Sequence, residues 1–235
     1  MANIDKTNYP KSIGIIMDGN RRWARSQGLS AMKGHEIGYK KVKELMQWAK
    51  EFNISTVYLY AFSTENWHRQ KEEIGYLMKL FSRAFGRDAK DLIKEKIKVK
   101  FAGQIERFSP VLKNSIRLLE KTTKNFSEAT LVICLSYGGR AEILTAIKKI
   151  VREKTAAEIE MFTEEDFSRF LWTAGLPDPE LVIRTSGEKR TSNFLPWQTA
   201  YSEWFLTKTN WPAFTKNEFA KILNDFSKRE IRRGR

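Results

Sequence analysis

Short apolar runs alternate along this chain with longer stretches of helical periodicity, and that alternation constrains the fold more than any other feature. Ser12–Met17, Thr56–Phe62, Lys98–Ala102, Thr130–Leu135, Leu181–Arg184 and Glu203–Leu206 read as strands. Between and after them, Gly34–Asn53, Lys71–Lys96, Pro110–Thr123, Gly139–Lys154 and Thr215–Arg229 carry apolar residues at helical spacing. Thr163–Gly175 opens on Thr163-Glu-Glu-Asp166, a helix start completed by an acidic side chain. Parallel neighbours need a crossover, so strands that each return through a helix imply an α/β fold. The expected architecture is a single domain with a mainly parallel six-stranded sheet flanked by helices. Residues 1–235 read as that one domain, with 1–11 and 228–235 as flexible ends.

Charge narrows the partners. Lys+Arg number 42 against 28 Asp+Glu, leaving a formal net charge of +14. Such a surface attracts nucleic acid, anionic lipid or phosphorylated metabolites. The chain carries no zinc-finger, helix-turn-helix or RNA-binding signature, which argues against nucleic acid. The lone cysteine, Cys134, sits in an apolar run and reads as a buried strand residue, so no disulfide framework or thiolate metal site is expected. The first residues have no apolar core of the secretory kind, and no run approaches the roughly 18 apolar residues of a membrane span. The expectation is a soluble, cytoplasmic protein. The tail Lys228–Arg235, with five basic residues against one acidic, is a candidate peripheral contact with anionic membrane.

The unusual polar residues gather where the strands end. Ile15–Met17 runs into Asp18-Gly-Asn-Arg-Arg-Trp23; the second strand runs into Ser63-Thr-Glu-Asn-Trp-His-Arg69. Ser136-Tyr-Gly-Gly-Arg140 follows the fourth, and Arg184 through Ser192 follows Leu181-Val-Ile183. In open parallel sheets ligands bind outside the carboxyl ends of the strands, so these loops are expected to form one cleft. Arg22, Arg69, Arg184 and Arg190 would repel one another without an anion, and guanidinium forks match diphosphate oxygens. Asp18 is the expected ligand for Mg2+, which uses one or two carboxylates plus substrate phosphates, with Glu203 as the second candidate. Each residue alone has a plainer reading: Asp18 as a cap of the next helix, His35 as a helix-start residue, Trp23 and Trp67 as core.

Taken in order, these blocks resemble the cis-prenyltransferases, the family of undecaprenyl diphosphate synthase. The matching segments are Ile16–Ala24, Gly34-His35, Leu59–Trp67, Tyr137–Arg140, Ile183–Glu188 and Arg190–Leu195, continued by Trp197-Gln198, Ala200-Tyr201 and Glu203. The resemblance implies an enzyme that condenses isopentenyl diphosphate onto an allylic diphosphate, usually farnesyl diphosphate, with cis geometry at each new double bond. It further implies Mg2+, a homodimer and a hydrophobic tunnel. Carried over by position, Asp18 is the catalytic carboxylate and metal ligand, and Gly19, Asn20, Arg21, Arg22 and His35 line the allylic diphosphate, beside Trp23. Asn66 assists removal of the proton, by positioning an acceptor since a neutral amide is a poor base. Arg184, Arg190, Thr191 and Ser192 hold isopentenyl diphosphate, and Glu203 completes the metal site. Ser63, Thr64, Glu65, Trp67 and Arg69 shape the junction between the substrates. Leu77, Met78, Leu80, Phe81, Phe85 and Ile93 are candidate tunnel residues, and small Ala61 favours a medium or long product. The chain departs from the family pattern at Ala31, where arginine is frequent, leaving open whether Lys33 replaces that phosphate contact; Gln70 and Ser136 are further departures.

Overall fold

The structure, a computed structural model, describes residues 8–229. Six strands form one sheet: β1 (Ser12–Ile16), β2 (Thr56–Ser63), β3 (Ile97–Ala102), β4 (Ala129–Tyr137), β5 (Leu181–Arg184) and β6 (Glu203–Leu206). Their spatial order is β3-β4-β2-β1-β5-β6, and every pairing is parallel. The chain leaves β1 toward β2 on one side and later returns to place β5 on the other. The crevice between β1 and β5 is therefore the point where strand order reverses, the usual ligand position in such sheets.

Nine helices accompany the sheet among the described residues: α1 (Asn20–Ser26), α2 (Ala31–Glu51), α3 (Lys71–Phe85), α4 (Lys90–Lys94), α5 (Pro110–Thr123), α6 (Gly139–Glu153), α7 (Ala156–Glu160), α8 (Glu164–Ser168) and α9 (Lys216–Ser227). Strand side chains alternate between two cores, as the period of a pleated strand requires. Ile13, Ile15, Val57 and Leu59 join one core with α2, α3, α5 and α9, whereas Ile16, Tyr58, Val132 and Cys134 join the other. Cys134 is a buried free thiol whose pKa burial raises, in line with its reading as a strand residue.

Four local differences from the sequence reading have physical causes. First, α1 is a helix where the sequence reading placed a polar loop and allowed a helix only as the plainer reading of Asp18; at seven residues, with three arginines and no apolar repeat, it carries no periodic signal. Second, α2 begins three residues earlier than Gly34, because Ser30 caps it by accepting from the Lys33 amide, so Gly34 and His35 lie inside its first turns. Third, the long helix expected over Lys71–Lys96 breaks at Gly86, with φ −102° and ψ −98°, before a 3₁₀ turn at Arg87–Ala89 and then α4. Fourth, Thr163 and Asp166 do form a capping box, but the helix they start ends at Ser168.

Of the ends expected to be flexible, residues 1–7 and 230–235 lie outside the described residues. Tyr9 is buried, and the Lys11 carbonyl accepts from the amides of Ser55 and Thr56, so packing reaches back ahead of β1.

Candidate active site

Four neighbouring strands, β4-β2-β1-β5, release the four polar loops at one sheet edge, so topology assembles the cleft. Asp18 stands at its centre, just past β1. Its Oδ1 accepts from the Gly19 amide at 2.7 Å, and its Oδ2 accepts from Arg184 Nη2 at 2.7 Å across the β1–β5 crevice. Gly19 is required there: its φ is +97°, and a Cβ would lie 2.3 Å from Asn210 Oδ1. Gly34 plays the matching part in α2, since a Cβ would meet the Asn20 carbonyl at 2.3 Å. The close approach of α1 to α2 that Gly34 permits sets His35 beside the Asp18 turn.

Two polar pockets meet at Asp18. The first is lined by Asp18, Gly19, Asn20, Arg21, Arg22, Arg25, His35 and Arg69. Its cations are held in place by carboxylates behind them. Glu73 accepts from Arg69 Nη1 at 2.8 Å, contacts His35 Nε2 at 3.0 Å and pairs with Arg21 at 3.7 Å. Burial raises the Glu73 pKa, but His35 and the two arginines outweigh that and hold it below the usual value. Burial likewise lowers the His35 pKa, so its ring is neutral near pH 7. Arg22 donates to the Ser186 carbonyl at 3.1 Å, to Ser186 Oγ at 2.8 Å and to Glu188 at 2.9 Å.

The second pocket is lined by Asp18, Ser63, Glu65, Asn66, Arg69, Arg184, Arg190 and Ser192, with Tyr60 and Asn193. Arg184 is 3% exposed and donates to Ser192 Oγ at 2.8 Å and to the Arg190 carbonyl. Arg190 pairs with Glu188 at 2.6 Å. Ser186 and Ser192 hold positive φ, 79° and 50°, strain of the kind that functional loops retain. Asn66 Oδ1 accepts from the Ser63 amide at 3.2 Å, which fixes the amide's orientation within a capping box.

Where the two pockets meet, Met17, Asn20 and His35 also line a third, apolar cavity that runs between α2, α3 and the sheet. It encloses about 920 Å³ including its open mouth. Leu77, Leu80, Phe81 and Phe85 line it as expected, joined by Ala61 at the mouth; Met78 and Ile93 pack into the adjacent core instead.

Several expected site residues lie elsewhere. Trp67 donates to Ser136 Oγ at 2.9 Å and packs on Phe62 and Phe108, so it braces the loop from behind. Trp23, Thr64 and Thr191 line neither polar pocket. The expected pairing of Glu203 with Asp18 as metal ligands is corrected within this chain. Register aligns Glu203 with Leu181 and Leu181 with Ile13, at the amino ends of the strands, whereas Asp18 follows their carboxyl ends. Glu203 instead pairs with Arg229. Lys33 is paired with Glu36 at 3.0 Å and does not line the pocket. The cation that sequence reasoning missed is Arg25, on the same face of α1 as Arg21 and Arg22. The missed carboxylate is Glu73, for which the four-residue spacing from Arg69 was the available signal.

The donor set fits a divalent metal of the magnesium kind. Asp18 offers one carboxylate where both polar pockets open, and no group of three or more His, Cys, Asp or Glu side chains competes as a metal cage among the described residues. Mg2+ completes such a shell with substrate phosphates and water.

Fold and site together define a protein with two arginine-lined polar pockets that meet at one carboxylate and adjoin an apolar cavity. Comparison with known proteins agrees. Residues 16–234 match the family described as "Putative undecaprenyl diphosphate synthase". An isoprenyl transferase of Thermus thermophilus is 44% identical over 100% of this chain and 92% of its own. The tritrans,polycis-undecaprenyl-diphosphate synthase (geranylgeranyl-diphosphate specific) of Thermoplasma volcanium is 43% identical over 100% and 93%. The crystal structure of lavandulyl diphosphate synthase from Lavandula x intermedia, in complex with dimethylallyl diphosphate, superposes with a TM-score of 0.90 at 29% identity, covering 95% of this chain and 97% of that one. The chain belongs to the undecaprenyl diphosphate synthase family of cis-prenyltransferases. It is a transferase that condenses isopentenyl diphosphate onto an allylic diphosphate, and the family uses a divalent metal.

Proposed function

We propose that this enzyme extends farnesyl diphosphate, or its longer homologue geranylgeranyl diphosphate, by repeated condensation to a medium or long polyprenyl diphosphate, with Mg2+ as its metal. The observation that carries this reading is Asp18 at the junction of two arginine-lined pockets, one of which opens into the apolar cavity. The allylic diphosphate lies against Gly19, Asn20, Arg21, Arg22, Arg25 and His35, with its tail in the cavity. Isopentenyl diphosphate lies against Arg184, Arg190 and Ser192. Asp18 would hold Mg2+, which when bound would supply charge neutralisation for the leaving diphosphate. Arg22 and Arg69 add preorganised donors to the same charge, which develops as the C1–O bond breaks. The isopentenyl double bond then attacks that carbon through its terminal CH2, the positive charge passes to the methyl-bearing alkene carbon, and a proton leaves the methylene carbon beside it. Asn66 orients the proton acceptor, for which the departing diphosphate is the available base.

The protein is proposed to act as a homodimer in the cytoplasm. The outer face of α6 supports pairing, since Leu144, Ile147 and Val151 are exposed at i, i+3 and i+7. No helix among the described residues is long and apolar enough to cross a membrane. The basic tail is the proposed peripheral membrane contact; residues 230–235 of it lie outside the described residues. Liposome binding that is unchanged after deletion of the tail removes that part of the reading.

The test of function is incubation with labelled isopentenyl diphosphate, Mg2+ and either farnesyl or geranylgeranyl diphosphate, followed by chromatography of the dephosphorylated products. Chain elongation dependent on Mg2+ is expected. No elongation with either primer overturns the proposal.

A further inference from the structure

Three of the four polar loops line the pockets, but Tyr137-Gly-Gly-Arg140, where β4 runs into α6, lines neither. Its two glycines are nevertheless covered. A Cβ on Gly138 would lie 2.5 Å from Thr64 Oγ1 and 2.8 Å from Asn193 Nδ2, and one on Gly139 would lie 1.9 Å from Pro196 Cδ. The loops after β2 and β5 therefore rest on the bare backbone of this one. That contact gives the glycine pair a physical reason.

α6 starts in this loop, and its N-cap, Gly138, has no side chain to offer the first amides. Those amides need acceptors from elsewhere. Asn193 supplies two: its carbonyl accepts from the Gly139 amide and its Oδ1 from the Arg140 amide, both at 2.9 Å. The other half of its side chain, Nδ2, donates to Glu65 Oε1 at 3.2 Å. Burial pushes the Glu65 pKa up, but hydrogen bonds from its own amide, Ser63, Asn193 and Thr64 outweigh that and keep it an ionised acceptor. Asn193 holds a φ of +64°, a left-handed conformation that asparagine accepts more readily than most residues. Ser192, just before it, is fixed as well. Its carbonyl accepts from Tyr60 Oη at 3.1 Å and its Oγ from Arg184 at 2.8 Å.

We propose that Asn193 is a positioning residue for isopentenyl diphosphate: it staples the loops after β2, β4 and β5 together and sets Ser192 against the loop that carries Asn66. The inference rests on the assignment of the second polar pocket to that substrate, proposed above. Ser192 Oγ takes its hydrogen bond from Arg184, so its own proton is free for a phosphate oxygen. Its aim depends on where the staple holds the backbone. Asn193 is suited to this place in three respects: an acceptor toward α6, a donor toward Glu65, and tolerance of the left-handed backbone. Aspartate keeps the first and the third. It replaces the donor by a second carboxylate facing Glu65, and like charges so close repel. Asn193 lines the second polar pocket and not the first, so its loss bears on one substrate.

The experiment measures KM for each substrate, with Mg2+, in the wild type, in Asn193→Asp, in Gly138→Ala and in the Asn193→Asp, Glu65→Gln exchange. Asn193→Asp still caps α6, so the fold should survive, which the thermal transition checks. It is expected to raise the KM for isopentenyl diphosphate about five- to tenfold, the scale of one lost hydrogen bond, and to leave that for the allylic diphosphate within about twofold. Gly138→Ala lies outside both pockets but pushes Asn193 and Thr64 aside, and is expected to raise the same KM. The exchange reverses donor and acceptor across the same link, and is expected to bring that KM back to within about twofold of wild type. A wild-type KM for isopentenyl diphosphate in either single variant, an equal rise for both substrates, or no recovery in the exchange overturns the staple while leaving the reaction standing. Absence of any elongation by the wild type overturns the pocket assignment, and the staple with it.

Discussion

Replacing Asp18 by alanine separates two roles that the carboxylate holds together. In the free protein it accepts a charge-assisted hydrogen bond from Arg184, whose guanidinium is 3% exposed. Loss of such a bond costs about 1.5–3 kcal/mol, and the partly exposed Asp18 keeps the cost below that of a fully buried pair. At roughly 2–4 °C per kcal/mol for a chain of this size, the thermal transition should fall by about 3–12 °C while the protein stays folded. The arginines left behind still suit an anion. Inorganic diphosphate at about 100 times its Kd should restore roughly 2.7 kcal/mol, so it should raise the variant's transition at least as much as it raises the wild type's. Activity should not return, because the carboxylate proposed to hold the metal at the reacting centre is gone. A drop in elongation rate of about 10²–10³-fold or more is expected, the scale seen when one preorganised charge-stabilising group is removed. The assays are differential scanning fluorimetry with and without diphosphate, and radiolabelled elongation. Wild-type elongation by Asp18→Ala refutes the mechanism. An unchanged transition temperature refutes the claim that Asp18 stabilises Arg184.

Arg25→Ala should raise the KM for the allylic diphosphate several-fold and leave that for isopentenyl diphosphate nearly unchanged, since Arg25 lines only the first polar pocket; steady-state kinetics with each substrate varied in turn decide it. Ala61→Leu, at the mouth of the apolar cavity, should truncate products to short chains, visible by chromatography, and a wild-type length distribution would contradict the cavity's role. Stability should fall as pH drops below about 6.5, because burial lowers the His35 pKa and the unfolded chain then binds the extra proton. Glu73 adds a further loss below its ordinary value of 4.5, as its depressed pKa is titrated. His35→Gln should flatten the upper part of that dependence in thermal melts recorded across pH.

The sequence by itself determined the fold class, because strand and helix periods are local properties of the chain. It also marked Asp18, Arg22, Arg184, Arg190 and Ser192, since polar clusters gathered at the ends of several apolar strands point to a shared ligand. It could not reveal α1, which has no apolar repeat, nor Arg25, whose relevance depends on which face of that helix meets the pocket. Glu73 carried no signal beyond its spacing from Arg69, and tertiary packing sets it behind His35, Arg69 and Arg21. Glu203 shows a different limit, since it lies far from Asp18 within one chain. Motif order places it near the other site residues in the sequence, but a parallel strand sends its first residue to the edge away from the cleft. The side chains that part from expectation are those whose role depends on strand direction or helix face, and only the assembled sheet decides which of its two edges a residue occupies.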